Sequence, residues 1–458
     1  VSTRVLRIEL RRSIAPWATL AILVVAFGFL YSFSGPWTRA PLAWDEQWTH
    51  TAEWTRFLLV FLWPIAIGAG AIQGMRDSRS GMIELLATMP RPGWHRAAKL
   101  AAALGGLLAL GYLFVFAVGA VQVPFKGGFF TFGWLSIVLV GVLAILAGAW
   151  IGLGIGRLLP HPLTAPAVAI AAFVTVILFQ IAGSEGSVLV GAVPSRVSLL
   201  SPAMDVINDP FRTTSGRMDL GQAVWFAGLA VTGFLLLAAR TRRAKGLAVV
   251  PALVAAAIAV PVLPATMAEA KVVDPRATAM VCDGPVCVPR MLEADLPGIA
   301  GPGKEALRLL GTLPDAPVKV TALDRRVDFD EVPPRAADTV YVDLLDWSVR
   351  SLMKSGDLTR VLVAGAGTPT CYTLHGGDRS FLDELTARSI TSSWFLGEWK
   401  MLEGSWLSED KKNEILRDRD TFQALPPDVR RTRIIAQRQA GLTCQGNQLD
   451  ILVGRGTR

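Results

Sequence analysis

The chain has 458 residues, 52% of them hydrophobic and only 18% charged, with a mean hydropathy of +0.43. So apolar a composition excludes an ordinary water-soluble protein of this length and points to membrane spans. The formal net charge of +8 does not point to nucleic acid. The basic residues sit beside apolar runs, where they set membrane orientation, and no basic and aromatic stripe lies elsewhere.

The first twelve residues place Arg4, Arg7 and Arg11 on one helical face and Val1, Val5 and Ile8 on another. That pattern suits a basic helix lying on a membrane surface. The first apolar run, residues 16–33, follows it. It lacks a small-x-small cleavage site and reads as a retained span that also serves as the insertion signal. A polar loop with Trp37, Trp44, Trp48 and Trp54 at belt-like positions leads to a second span over 57–72, with Pro64 inside it.

Residues 73–99 are charged and amphipathic. Met82, Leu85, Leu86 and Met89 recur at helical spacing, with Arg76, Asp77, Arg79 and Glu84 around them. Pro90 and Pro92 stop that helix, because proline lacks the amide donor and disfavours helical geometry in the residue before it. A second short helix starts near Trp94. From the residues alone, this segment is either a docking element for a cytoplasmic partner or an interfacial connection between two spans.

Further spans are expected over 100–121, 134–155, 163–181, 221–239 and 247–264, seven in all. Gly105, Gly106, Gly111, Gly141, Gly148 and Gly152 punctuate two of them. Small residues allow close helix contact in lipid, although glycine is common in spans anyway. With the N-terminus in the cytoplasm, the inner segments hold Arg4, Arg7, Arg11, Arg12, Arg76, Arg79, Arg91, Arg96, Lys99, Arg157, Arg240, Arg242, Arg243 and Lys245. The outer loops hold Arg39, Arg56, Lys126, Arg196, Arg212 and Arg217, offset by acids. This bias predicts a multi-pass plasma-membrane protein with residues 266–458 outside the cell.

All four cysteines, Cys282, Cys287, Cys371 and Cys444, lie in that C-terminal part. An oxidising compartment favours such an arrangement. Of the three possible pairings, Cys282 with Cys287 and Cys371 with Cys444 is the one expected. The fold class is therefore an α-helical polytopic membrane domain, residues 1–265, plus a mixed α/β extracytoplasmic domain, residues 266–458. In the latter, 317–322, 339–344 and 359–364 read as strands, and 304–310, 381–388, 408–417 and 427–439 as helices.

No catalytic constellation stands out. H-E-x-x-H and G-x-S-x-G are absent, and four histidines form no cluster in sequence. The stretch GIAGPGK, residues 298–304, matches phosphate-loop spacing. Glu305 stands where a magnesium-binding hydroxyl belongs, and Pro302 removes a backbone donor. A glycine-rich turn capping a helix is the expectation there. No cofactor or metal is expected. The span interiors carry almost no ionisable residues, which argues against an ion-coupled carrier.

The first 240 residues resemble the permease subunits of ABC-2-type exporters. Those have a basic amphipathic helix before the first of six spans, and a cytoplasmic coupling helix between the second and third. Here the coupling pattern is carried by Asp77, Gly81, Glu84 and Leu86, then Pro90, Arg91 and Lys99. The resemblance implies that Arg76, Asp77, Gly81, Glu84, Leu85, Leu86, Pro90 and Arg91 contact a separate ATPase subunit. It also implies that the chain works as a homodimer or with a second permease, exporting an apolar or amphiphilic substrate. The seventh span and the disulfide-bearing domain depart from that pattern. The alternative is a non-transporting membrane protein whose outer domain binds a ligand or envelope partner.

Overall fold

Among the described residues, seven helical segments are long and apolar enough to cross a membrane: Ala15–Ser32, Leu59–Arg76, Trp94–Lys126, Gly133–Leu158, Thr164–Gly183, Gly216–Ala238 and Arg242–Val262. A span needs about 20 apolar residues to cross about 30 Å of hydrocarbon, and the protein is a multi-pass membrane protein followed by a mixed α/β region. The computed structural model describes residues 13–34, 44–79, 93–183, 193–205, 209–327, 331–371, 377–402 and 407–455. The amphipathic arm expected over residues 1–12 lies outside them. Contacts divide the chain into two units, Val1–Asp274 and Pro275–Arg458.

The membrane unit contains helices α1 (Ala15–Ser34), α2 (Trp48–Phe57), α3 (Leu59–Arg79), α4 (Gly93–Gln122), α5 (Gly133–Leu158), α6 (Thr164–Gly183), α7 (Gly216–Ala238), α8 (Arg242–Leu247) and α9 (Val250–Val262). Strands β1 (Arg212–Thr214) and β2 (Lys271–Val273) pair antiparallel just before α7 and after α9. Helices α3 and α5 are the most buried spans, whereas α1, α6 and α9 expose large apolar side chains such as Leu20, Ile170 and Leu253, the surface that lipid covers.

Glycine explains how α3 and α5 come so close. Without a hydrophobic drive between spans, close backbone approach supplies the attraction. A Cβ on Gly70 would collide with the Ala149 carbonyl oxygen, and one on Gly74 with the Leu153 carbonyl oxygen. From the other side, Gly152 has no room beside the Ile67 oxygen, nor Gly156 beside the Ala71 oxygen. Gly148 makes space for the Trp63 indole, whose N–H donates to Ala144 O at 2.9 Å. The same device recurs between α4 and α5. Gly105 makes space for Trp150, whose indole N–H donates to Ala101 O at 3.0 Å. An indole buried among spans needs such an acceptor, because lipid offers none.

Cross-helix contacts assign residues to the two ends of this bundle. At one end, Ile14 N–H donates to Gln73 Oε1 at 3.3 Å, and Arg157 donates to Leu237 O. Arg76, Arg96, Lys99, Arg157, Arg240, Arg242, Arg243 and Lys245 belong to helix ends or connections there. The other end holds the starts of α3, α5 and α7 and the end of α9, and there Arg217 Nε of α7 donates to Val262 O of α9 at 3.2 Å.

The second unit contains β3 (Met280–Asp283), β4 (Val286–Pro289), α10 (Leu296–Leu310), β5 (Lys319–Ala322), β6 (Thr339–Val342), α11 (Trp347–Ser355), α12 (Leu358–Val363), α13 (Gly377–Leu396), α14 (Glu409–Gln423), α15 (Pro427–Thr443) and α16 (Gln448–Val453). One four-stranded sheet runs in the order β3-β4-β5-β6. The β3/β4 hairpin is antiparallel, and β4/β5 and β5/β6 are parallel, with α10 as the first crossover.

Two expectations are corrected here. Residues 359–364 fall in helix α12 and the turn after it, not in a strand. Their apolar run is too short for periodicity to separate strand from helix, and Leu358, Leu362 and Val363 are buried as a helical face. Residues 298–304 lie inside α10 and form no loop. Gly303 is small because α10 rests on β4, where a Cβ would come within 2.7 Å of Val286 Cγ2. Lys304 pairs with Asp283 at 2.8 Å, and the backbone amides serve the helix, so no phosphate cradle exists.

The core of this unit is unusually polar. Buried Thr386, Ser389 and Thr391 of α13 return their hydroxyls to the carbonyls of Leu382, Leu385 and Ala387, which lets a polar helix lie inside without orphaned donors.

Candidate functional site

Of the expected coupling residues, Arg76 is exposed near the C-terminal end of α3, and Asp77 continues the same helix. Gly81, Glu84, Leu85, Leu86, Pro90 and Arg91 lie outside the described residues. Trp94, expected to begin the next helix, is in the first turn of α4, where its ring stacks on His95 with centroids 3.7 Å apart.

Both disulfides form as paired above. Cys282 faces Cys287 directly across the β3/β4 hairpin, whose turn places Gly284 at a φ of +62°. Cys371 joins Cys444 at the end of α15. This second bridge anchors the loop after α12. Three arginines hold the same loop: Arg438 donates to Ala366 O (2.5 Å), Arg388 to Thr368 O (2.6 Å) and Arg335 to Pro369 O (3.0 Å). Gly365, Ala366 and Gly367 all adopt positive φ, a conformation costly for alanine that the surrounding bonds sustain. Burial pushes the guanidinium pKa of Arg388 and Arg438 down. These carbonyl acceptors are what let the charges remain inside.

The group that reading by sequence missed is in the membrane unit. Arg56, expected in a polar outer loop, is fully buried in α2. Nε donates to Pro202 O at 2.6 Å, Nη1 reaches Ile137 O at 3.4 Å, and Nη2 donates to Gln222 Oε1 at 2.9 Å. Gln222 is buried too and passes the chain on to Leu199 O at 2.8 Å. One guanidinium thus ties α2 to α5, α7 and the 199–202 segment. Tyr112 and Asp219 lie within electrostatic reach of it, and Asp219 Oδ2 accepts from Thr214 Oγ1 at 3.1 Å. Nearby on α2, Trp54 Nε1 donates to His50 Nε2 at 2.9 Å, and Glu53 lies 3.7 Å from His50 Nδ1. The helix α2 itself corrects the loop expectation. Its sequence has no apolar period, so it reads as solvated, yet Thr49, His50, Thr51, Glu53, Thr55 and Arg56 are all buried. The available signal was one charge directly beside an apolar run, in a stretch without Gly or Pro.

The arrangement is suited to mechanics rather than bond chemistry. Arg56 has no nucleophile to activate and no open face for a substrate atom. Among the described residues no cluster of His, Cys, Asp or Glu could hold a metal ion. The Arg56 node and the basic end lie at opposite ends of α3, a helix of 21 residues, or about 30 Å at 1.5 Å per residue. No protein-family model matches the chain, and neither a curated protein nor a solved structure proves similar to it.

Proposed function

We propose that the membrane unit is a permease subunit of an ATP-driven, ABC-2-type exporter. A separate ATPase would dock on the helix expected over residues 74–90, and the substrate would be apolar or amphiphilic. The observation that carries this reading is the seat of α3. The docking segment follows directly from this helix, which is interlocked with α5 through Gly70, Gly74, Gly152 and Gly156. A push at the basic end acts on the centre of the bundle, and the far end of α3 adjoins the Arg56 contacts to α5 and α7. Hydrolysis would belong to the ATPase, and the permease would act as a homodimer or beside a second permease.

In this reading the basic end is cytoplasmic and residues after Asp274 are extracytoplasmic, in keeping with the alternation of basic flanks and the two disulfides. The test is copurification with an ATPase encoded beside this chain. Glu84→Ala should weaken capture, and Gly81→Pro should abolish it while the membrane unit still folds. Capture by Gly81→Pro at the wild-type level would remove the docking assignment. For topology, a membrane-impermeant maleimide should label a cysteine placed at exposed Glu409 in intact cells; labelling only after lysis would reverse the orientation.

A further inference from the structure

The second unit has a groove, about 180 Å³ in volume, where the end of α13 and the turn after it face α14 and the start of α15. Trp394, Trp399, Arg419, Gln423 and Arg430 line it, with Ser393 at its floor. Its size suits a single ring, since cavities for drug-sized ligands run about 300–1,000 Å³.

The charge in this groove is one-sided. Arg430 makes no side-chain hydrogen bond or ion pair with any described residue, and its Nε is buried without a partner. Arg419 lies over the Trp399 ring, 5.2 Å from its centroid, and gives Nε and Nη2 to one Asp420 oxygen, leaving Nη1 uncommitted. Beneath the floor, Arg360 is 5% exposed. It donates to Ser393 Oγ at 3.3 Å and Glu398 O at 3.2 Å, and its Nε also lacks a partner. Asp357, a carboxylate within electrostatic reach of Arg360, is engaged by Lys400. Among the described residues no carboxylate lines the groove.

A buried guanidinium nitrogen without an acceptor costs free energy unless something supplies one. Elsewhere in this unit Arg335, Arg388 and Arg438 give terminal nitrogens to backbone carbonyls, although the Nε of Arg335 and of Arg438 is unpartnered as well. Arg430 has no such acceptor on any nitrogen among the described residues, and it shares the groove with two indoles. Guanidinium forks match carboxylate and phosphate oxygens. Indoles match the apolar carbon face of a ring, and the exposed Gln423 amide can meet ring hydroxyls. We propose that this groove binds an acidic sugar, one pyranose ring bearing a carboxylate or phosphate group, with Arg430 on the anion and the ring against Trp394 and Trp399. The proposal does not depend on the transport reading.

The test uses the full chain in nanodiscs and ligand-observed saturation-transfer NMR. Glucuronate and glucose 6-phosphate are the probes, with glucose, inorganic phosphate and benzoate as comparisons. At least one acidic sugar should give saturable transfer, at least tenfold tighter than glucose, phosphate or benzoate. The stronger of the two names the anion. Arg430→Gln should weaken it tenfold or more without moving the thermal midpoint, since Arg430 holds no other residue, and Trp399→Leu should do likewise. No saturable signal from either acidic sugar overturns the proposal. So does equal binding of glucose or benzoate, or binding that both variants leave unchanged.

Discussion

The two units solve the same problem, an arginine inside, in surroundings that differ in almost every other respect. The membrane unit is held by backbone-to-backbone contact at glycines, and its one fully buried described arginine, Arg56, is spent on tying helices together. The C-terminal unit has a small sheet, a serine- and threonine-rich helix and two disulfides. Two of its buried arginines, Arg388 and Arg438, converge on one loop with positive backbone φ. In both, most of the acceptors are backbone carbonyls rather than carboxylates. A carbonyl accepts without carrying a charge of its own into the interior, so only one desolvation is incurred. The shared solution shows that these arginines act as multi-armed struts, each reaching segments that no local hydrogen bond could join.

If that parallel holds, loss of the strut should cost both units alike and most heavily. Arg438→Leu would orphan Ala366 O, Ala337 O and Asp315 O, and Arg56→Leu would release Pro202 O and Gln222. Each should destabilise its unit by about 3–5 kcal/mol, read by hydrogen exchange of the full chain in nanodiscs. Lysine at either position should recover less than half, because a point charge cannot reach divergent acceptors as a fork does.

Disulfides separate the units next. Cys371 and Cys444 are 73 residues apart and Cys282 and Cys287 only 5. Chain-entropy reasoning gives about 4 kcal/mol for the long loop and about 2 kcal/mol for the short one. Paired serine substitutions should therefore lower the denaturant midpoint of the C-terminal unit unequally, and leave protection of α3 and α5 unchanged. A smaller effect is expected from Gly152→Leu. It should push α5 off α3 and cost about 1–3 kcal/mol, seen as a lower melting temperature in detergent. Gly106→Ala, with no atom within 4 Å of the new Cβ, should be neutral or gain about 0.5–1 kcal/mol.

The smallest effect is electrostatic. Burial raises the Asp343 carboxyl above its ordinary value of 3.8, against the lowering effect of the Leu345 N–H. The folded unit therefore holds this proton more tightly than the unfolded chain. Its contribution to stability is greatest in acid and is lost as pH rises from 3.8 through the raised folded value. Asp343→Asn keeps the acceptor for Leu345 N–H, bonded at 2.8 Å. It should flatten that part of the pH–stability curve and raise stability at neutral pH. An unchanged curve would mean the carboxylate is hydrated in the folded unit.

Sequence alone determined the seven spans, the separation of membrane and disulfide-bearing parts, and the sorting of basic residues around the spans. Those properties are local: an apolar run is long enough or it is not, and a charge beside it is visible in the same stretch. The strands at 319–322 and 339–342 were legible for the same reason, from clustered β-branched residues. Only the tertiary structure decided which glycines matter, because Gly152 and Gly106 differ solely in what stands opposite them. It decided that the stretch leading to Val363 is helix, since a short apolar run packs either way. It also decided that Arg56 is interior. The groups that keep its charge there, Pro202 and Gln222, lie 146 and 166 residues further along the chain. A buried charge is defined by its acceptors, and no local pattern around position 56 contains them.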